Sequence, residues 1–224
     1  MTAKLKGLAF AILTFLAAIP ASAQEEGAFD GLMRKYDMTF TPNDRFDIIH
    51  KGEYHRIFDT DTCHALPRVI LSMDSKDGKC RVCMYVNPMI PMMYDGNGEK
   101  SEADYSSGKT ARPAGETLWE LKAVLRGGHV ASSDVSKKWE EDNLVSMMTF
   151  LSSSKARRMF NSDFLAWIPL DLREKVYEGK YTNARYVVTG RHGDDILLLF
   201  FMTDDVAECF DRYLEDVKGM FRFK

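Results

Sequence analysis

Asp195-Ile196-Leu197-Leu198-Leu199-Phe200-Phe201-Met202 decides how the rest of the chain is read. From Ile196 onward the run is apolar at odd and even positions alike. A strand with one wet face would alternate, so this pattern predicts a central strand covered on both sides. Just upstream, Asn183 to Gly190 is a second extended run, and Arg191-His192-Gly193-Asp194 is turn chemistry. The two runs are therefore expected to form a hairpin. Downstream, Thr203 is expected to cap a helix with Asp204 and Asp205 in its first turn, where the helix dipole favours negative charge. Its apolar positions are Val206, Cys209, Phe210, Tyr213, Leu214 and Val217, a stripe at helical spacing that assigns Cys209 to the core. Gly219 stops the helix, and Phe221-Arg222-Phe223 reads as an edge strand.

A second hairpin lies nearer the N-terminus. Arg68 to Met73 runs into Ser75-Lys76-Asp77-Gly78, and the chain returns as Lys79 to Asn87. Asp77-Gly78 is a favoured turn because both residues accept positive φ. In the return, Val82, Met84 and Val86 alternate with Arg81, Cys83 and Tyr85, the period of a half-buried strand. With Asp77 and Gly78 at the centre of the turn, Cys80 falls opposite Ser75 and Cys83 opposite Ser72.

Shorter elements complete the pattern. Phe29, Leu32, Met33 and Tyr36 are spaced for an amphipathic helix, and Met38 to Thr41 for a strand stopped by Pro42-Asn43-Asp44. Phe46–His50 and Tyr54–Phe58 read as two separate extended runs around Lys51-Gly52. Residues 94–116 lack apolar periodicity and read as a long loop. Thr117-Leu118-Trp119-Glu120 is a capping box opening a helix that ends at Gly127-Gly128. Further helices are expected near Ser133 to Trp139 and from Ser153 through Phe160, followed by a strand from Phe164 that ends at Pro169. Hairpins interleaved with a few helices predict an α+β fold, an antiparallel sheet of hairpins with packed helices.

The N-terminus carries an address. Lys4 and Lys6 precede an apolar run from Leu8 to Ile19, then Pro20 and the small residues Ala21-Ser22-Ala23. This is the pattern of a cleavable secretory signal, with cleavage expected after Ala23. The run is shorter than the roughly 20 apolar residues of a membrane span. The expected organisation is a signal peptide at 1–23 and one α+β domain at 24–224, located in the periplasm or outside the cell. The chain has 224 residues, 30 basic and 33 acidic, with a formal charge of -3. Removing the leader takes two lysines and no acid, so the remaining chain is more acidic still. That balance speaks against a protein built to coat nucleic acid. Four cysteines are too few to replace a hydrophobic core.

Ala156-Arg157-Arg158-Met159-Phe160-Asn161-Ser162-Asp163 is followed by Ile168-Pro169-Leu170, Tyr177-Glu178-Gly179-Lys180-Tyr181-Thr182 and Phe201-Met202-Thr203-Asp204-Asp205. In order and spacing this set, over residues 153–218, resembles a group of small secreted Bacteroidetes proteins of unknown function. Members of that group tend to carry alanine where Ser162 stands. The closing hairpin, capped helix and strand are also similar to the end of Mog1/PsbP-like domains. Neither resemblance implies a catalytic residue.

The residues with chemical potential are few. Cys63-His64 and Cys80-x-x-Cys83 admit a disulfide from Cys63 to Cys80 or Cys83, a zinc site, a redox pair, or plain structural cysteines. Against zinc and redox chemistry, CxxC inside a β pattern sends its two side chains to opposite faces, and thiolate stabilisation calls for a helix N-terminus. Met84, Met89, Met92 and Met93 read as packing rather than as a copper site. Asp95-Gly96-Asn97-Gly98-Glu99 starts like a calcium loop and fails at Lys100 and Ser106. No hydrolase, metalloprotease or phosphate-loop motif is present. His50, His55, His129 and His192 have no partner named by their context. Asp59, Asp61 and His64 are the available acid/base set. Arg157-Arg158 is a helix surface without interleaved aromatics, so no nucleic acid is implied.

The expected function is a non-catalytic binding module that meets a protein or small ligand at the cell envelope, with no cofactor. An enzyme, as a hydrolase using Asp59, Asp61 and His64, is the alternative. A metal or redox protein using Cys63, His64, Cys80 and Cys83 ranks behind both.

Overall fold

The computed structural model describes residues 27–56, 68–86 and 144–224. In chain order these contain α1 (Ala28–Lys35), β1 (Met38–Phe40), β2 (Phe46–Arg56), β3 (Arg68–Ser75) and β4 (Cys80–Val86). The described chain resumes at Leu144 with α2 (Leu144–Met147), β5 (Thr149–Phe150), α3 (Ser153–Phe160), β6 (Phe164–Val176), β7 (Tyr181–Arg191) and β8 (Asp194–Met202). A 3₁₀ segment, Asp204–Cys209, then passes into α4 (Phe210–Asp216), and β9 (Phe221–Phe223) closes the chain. The expected helices at Thr117 and Ser133, the 94–116 loop and the leader at 1–23 lie outside the described residues.

The α+β reading holds. One seven-stranded sheet runs β2-β3-β4-β8-β7-β6-β5, every pair antiparallel, and β1 with β9 makes a separate two-stranded ribbon. The apolar run that opened the reading is β8, fourth of the seven. Ile196, Leu198, Phe200 and Met202 face one apolar layer and Leu197, Leu199 and Phe201 the other. Both sets are essentially inaccessible to solvent.

The first face is covered by helices. Phe29, Leu32 and Met33 of α1, Ala156, Met159 and Phe160 of α3, and Val206, Phe210, Tyr213 and Leu214 near the C-terminus all pack against it. α3 starts where Ser152 accepts from the Lys155 N–H at 3.3 Å, and ends at Asn161 in the left-handed region (φ 55°). Ser162 and Thr189 are buried at its end. Thr189 Oγ1 lies 2.7 Å from both Ser162 Oγ and the Phe164 carbonyl, within reach of a hydrogen bond to either.

The β7–β8 connection is a two-residue turn, His192-Gly193, with φ 51° and 85°. Positive φ at both positions is the type I′ geometry whose twist suits a hairpin. At Gly190, a Cβ would lie 2.0 Å from Asp195 Oδ1 and 2.9 Å from the Asp194 carbonyl, so only glycine fits there.

Several expectations are corrected. β4 is buried on both faces, not half-buried: Val82 and Met84 join one layer, Cys83 and Tyr85 the other. The runs around Lys51-Gly52 are one strand, β2. Its register slips between Ile48 and His50 and again between Lys51 and His55, with Gly52 at φ 117°. Bulges break the two-residue period, which is why the strand reads as two. β6 does not stop at Pro169 but continues to Val176. Beyond Trp167 it has no second described neighbour, and an edge tolerates a residue without an N–H. In the β3–β4 turn only Gly78 (φ 68°) takes positive φ; Asp77 does not. Thr203 is an N-cap without a side-chain capping bond: its hydroxyl donates to Asp205 at 2.6 Å. Cys209 is exposed rather than core. It occupies the edge of the stripe at the junction where the 3₁₀ pitch gives way to α4, and the change of pitch turns it outward.

Candidate functional site

Asp59, Asp61, Cys63 and His64, like His129, lie outside the described residues. So do Met89, Met92, Met93 and residues 95–106. The described part of the cysteine constellation is β4. Cys80 pairs with Met202 and belongs to the helix-covered layer; Cys83 pairs with Leu199 and belongs to the opposite one. The two thiols are therefore separated by the sheet, and they cannot bond to each other or ligate one ion. Cys80, Cys83 and Cys209 carry no disulfide. Burial pushes the Cys80 thiol well above its ordinary value. Burial raises Cys83 too, offset in part by hydrogen bonds to Ser72 and Tyr177. Both are held as protonated thiols, which are poor nucleophiles and poor metal ligands. Among the described residues no group of three or more His, Cys, Asp or Glu side chains is arranged to hold a metal ion.

Around Cys83 the second face carries a polar cluster. Cys83 Sγ lies 3.5 Å from Ser72 Oγ, its register partner across the hairpin, and 3.3 Å from the Tyr177 hydroxyl. Two residues back, Arg81 holds Asp74 through Nε at 2.6 Å and Nη2 at 2.8 Å, a bidentate pair with both side chains under one-fifth exposed. The same guanidinium sits 4.3 Å from the Tyr177 ring centroid and 5.8 Å from that of Tyr181. Tyr177, Tyr181 and Phe201 then stack against one another at 5.6 to 6.4 Å. Burial raises the pKa of both tyrosines. The Tyr181 hydroxyl is buried without a hydrogen-bond partner.

A second cluster ties the β3–β4 turn to the C-terminal helix. Asp77 accepts from Ser75 Oγ (2.6 Å), the Lys79 N–H (3.0 Å), Arg212 Nη2 (3.0 Å) and Tyr213 Oη (2.9 Å). Desolvation works to raise its pKa, but the bonds from Ser75, Lys79 and Tyr213 and the Arg212 charge overcome it. The carboxyl is pulled down to about 2. Beside it Lys79 pairs with Asp205, and Thr182 and Asn183 donate to Asp204.

Compared with models of protein families, with curated proteins and with solved structures, the chain matches none.

Of the histidines, His50 and His55 lie on β2 opposite Ser72 and Val69, and His192 is a turn residue whose N–H bonds Asp163 at 3.1 Å. Arg157 and Arg158 are exposed on α3, as expected. Nothing in the sequence marks Asp74, Arg81, Tyr177, Tyr181, Arg212 and Tyr213 as residues of these two clusters. The one available signal was the hairpin register, which already places residue 74 opposite residue 81.

Proposed function

We propose that this chain is an exported α+β module that acts by binding a protein or small ligand at the cell envelope. The observation that carries the reading is the N-terminal pattern: Lys4 and Lys6, the apolar run Leu8 to Ile19, and Ala21-Ser22-Ala23. The described clusters are consistent with a non-catalytic role. Asp77 already accepts four donors, Arg81 is committed to Asp74, and the Cys80 and Cys83 thiols stay protonated. No described helix is long and apolar enough to cross a membrane.

Two measurements test this. N-terminal sequencing of protein recovered from the periplasm or medium is expected to begin at Gln24; a chain retained in the cytoplasm with its leader intact would overturn export. Chemical cross-linking of the envelope fraction is expected to give a discrete adduct of the mature chain. Turnover of an ester, peptide or glycoside that disappears in His64→Ala would instead establish a hydrolase built on Asp59, Asp61 and His64.

A further inference from the structure

Cys80 and Cys83 are equally inaccessible, yet what covers them differs. Over Cys80 lies the helix layer, anchored by Phe210, Tyr213 and Leu214. Against Cys83, among the described residues, lie Tyr177 of a hairpin turn, whose hydroxyl reaches the sulfur at 3.3 Å, and Ser72, whose Oγ is at 3.5 Å. The backbone that delivers it is unusual. Tyr177, Glu178 and Gly179 are successive residues at φ 51°, 59° and 86°. Glycine visits this left-handed region freely, but for residues bearing a Cβ it is unfavourable, and for a bulky one such as tyrosine it is an outlier.

Among the described residues the turn has few backbone attachments. Its closing bond runs from the Lys180 N–H to the Tyr177 carbonyl at 3.2 Å. Val176 pairs with Tyr181 at its base, but the β6 register is broken from there back to Asp171. Among the described residues, the contacts that hold this conformation are those of the Tyr177 side chain: Cys83 at its hydroxyl, Arg81 at 4.3 Å from its ring centroid, and Phe201 and Tyr181 at its edges.

We propose that the Tyr177–Lys180 turn is a strained latch over Cys83, whose local opening uncovers this thiol while the sheet and the helix layer stay folded. In the closed state backbone strain is balanced by the contacts of one aromatic ring. Opening relaxes the strain, breaks the contact with the sulfur and presents Cys83 beside the Arg81–Asp74 pair. A purely structural Tyr177 would behave differently, because Cys83 would then become reachable only when the whole domain unfolds, together with Cys80.

Native-state labelling of the full mature chain with N-ethylmaleimide, quantified for each cysteine by peptide mass spectrometry, separates the two. Cys209, exposed, should react first. Cys83 should follow at least about tenfold faster than Cys80, as expected for local rather than global opening. Tyr177→Ala should raise the Cys83 rate by roughly tenfold more and leave Cys80 unchanged. Glu178→Gly, which removes one strained residue, should slow Cys83 about threefold. Equal rates at Cys83 and Cys80 in the parent chain would overturn the latch. So would parallel acceleration of both by Tyr177→Ala, or a Cys83 rate unmoved by Glu178→Gly. Cys80 serves as the internal report of folding in each variant, so a destabilised protein is not mistaken for an open latch.

Discussion

The two faces of the central sheet solve the same problem with different materials. One is closed by helices whose apolar stripes lie on Leu198, Phe200 and Met202, and its buried hydroxyls, Ser162 and Thr189, bond one another and the Phe164 carbonyl. The other mixes apolar side chains with Ser72, a thiol, the four tyrosines Tyr85, Tyr177, Tyr181 and Tyr186, and an arginine–aspartate pair at its margin. Burial alone does not distinguish them, since Phe200 and Phe201 are both inaccessible. The lesson is that the polar face depends on geometry, where one misplaced partner strands a buried group, whereas the helix face depends mainly on volume.

The largest expected effect tests whether the faces are equal as cores. Phe200→Ala and Phe201→Ala should each cost about 3–5 kcal/mol in urea unfolding, the usual range for emptying a well-packed aromatic site. A loss under about 1.5 kcal/mol for Phe201→Ala alone would break the symmetry and mark the second face as loosely packed. Next comes the charge pair. Asp74→Ala leaves the Arg81 guanidinium mostly buried without its carboxylate and should cost about 2 kcal/mol. The exposed Asp47–Lys76 pair provides the contrast, with Asp47→Ala within about 0.5 kcal/mol.

Asp77 predicts a pH signature. Its folded pKa lies below its ordinary value, so its contribution is full above pH 3.8 and is lost as pH falls through about 2. Asp77→Asn should destabilise by about 1–2 kcal/mol at neutral pH. The gap from the parent chain should then close between pH 4 and 2, as followed by unfolding titrations at each pH. A gap constant across that window would mean the carboxyl is not held ionised by Ser75, Tyr213 and Arg212. The smallest effect is Ser162→Ala. Thr189 keeps its bond to the Phe164 carbonyl, so thermal unfolding should register a change of no more than about 1 kcal/mol.

The parts of the fold legible in sequence were those whose signal is periodic and local. The unbroken apolar run of β8, the hairpin turn at His192-Gly193 and the stripes of α1 and α3 each follow from spacing within a dozen residues. β2 was split because its bulges interrupt the period where Gly52 turns the chain. The stripe places Cys209 in the core only if a single helical pitch runs through a segment that has two. Pro169 reads as a stop in sequence, whereas its neighbours in space determine whether a missing N–H matters. The polar cluster was the least legible. Cys83 and Tyr177 are 94 positions apart, and no local pattern announces their meeting. That CxxC in a strand divides its cysteines between two faces was readable, and it holds.

The pairing of β4 with β8 has one more consequence, for the order in which the molecule can assemble. Cys80 to Tyr85 find their partners at Leu197 to Met202, more than a hundred positions later in the chain. The β2–β3–β4 meander and the β6–β7–β8 meander are each local, but the seam between them closes only after the last strand of the sheet exists. A nascent chain that has not yet reached β8 therefore has two half-sheets, β2–β3–β4 and β5–β6–β7, with unpaired inner edges. Completion waits for β8, and the interval before it arrives is when this chain is most exposed to misassembly.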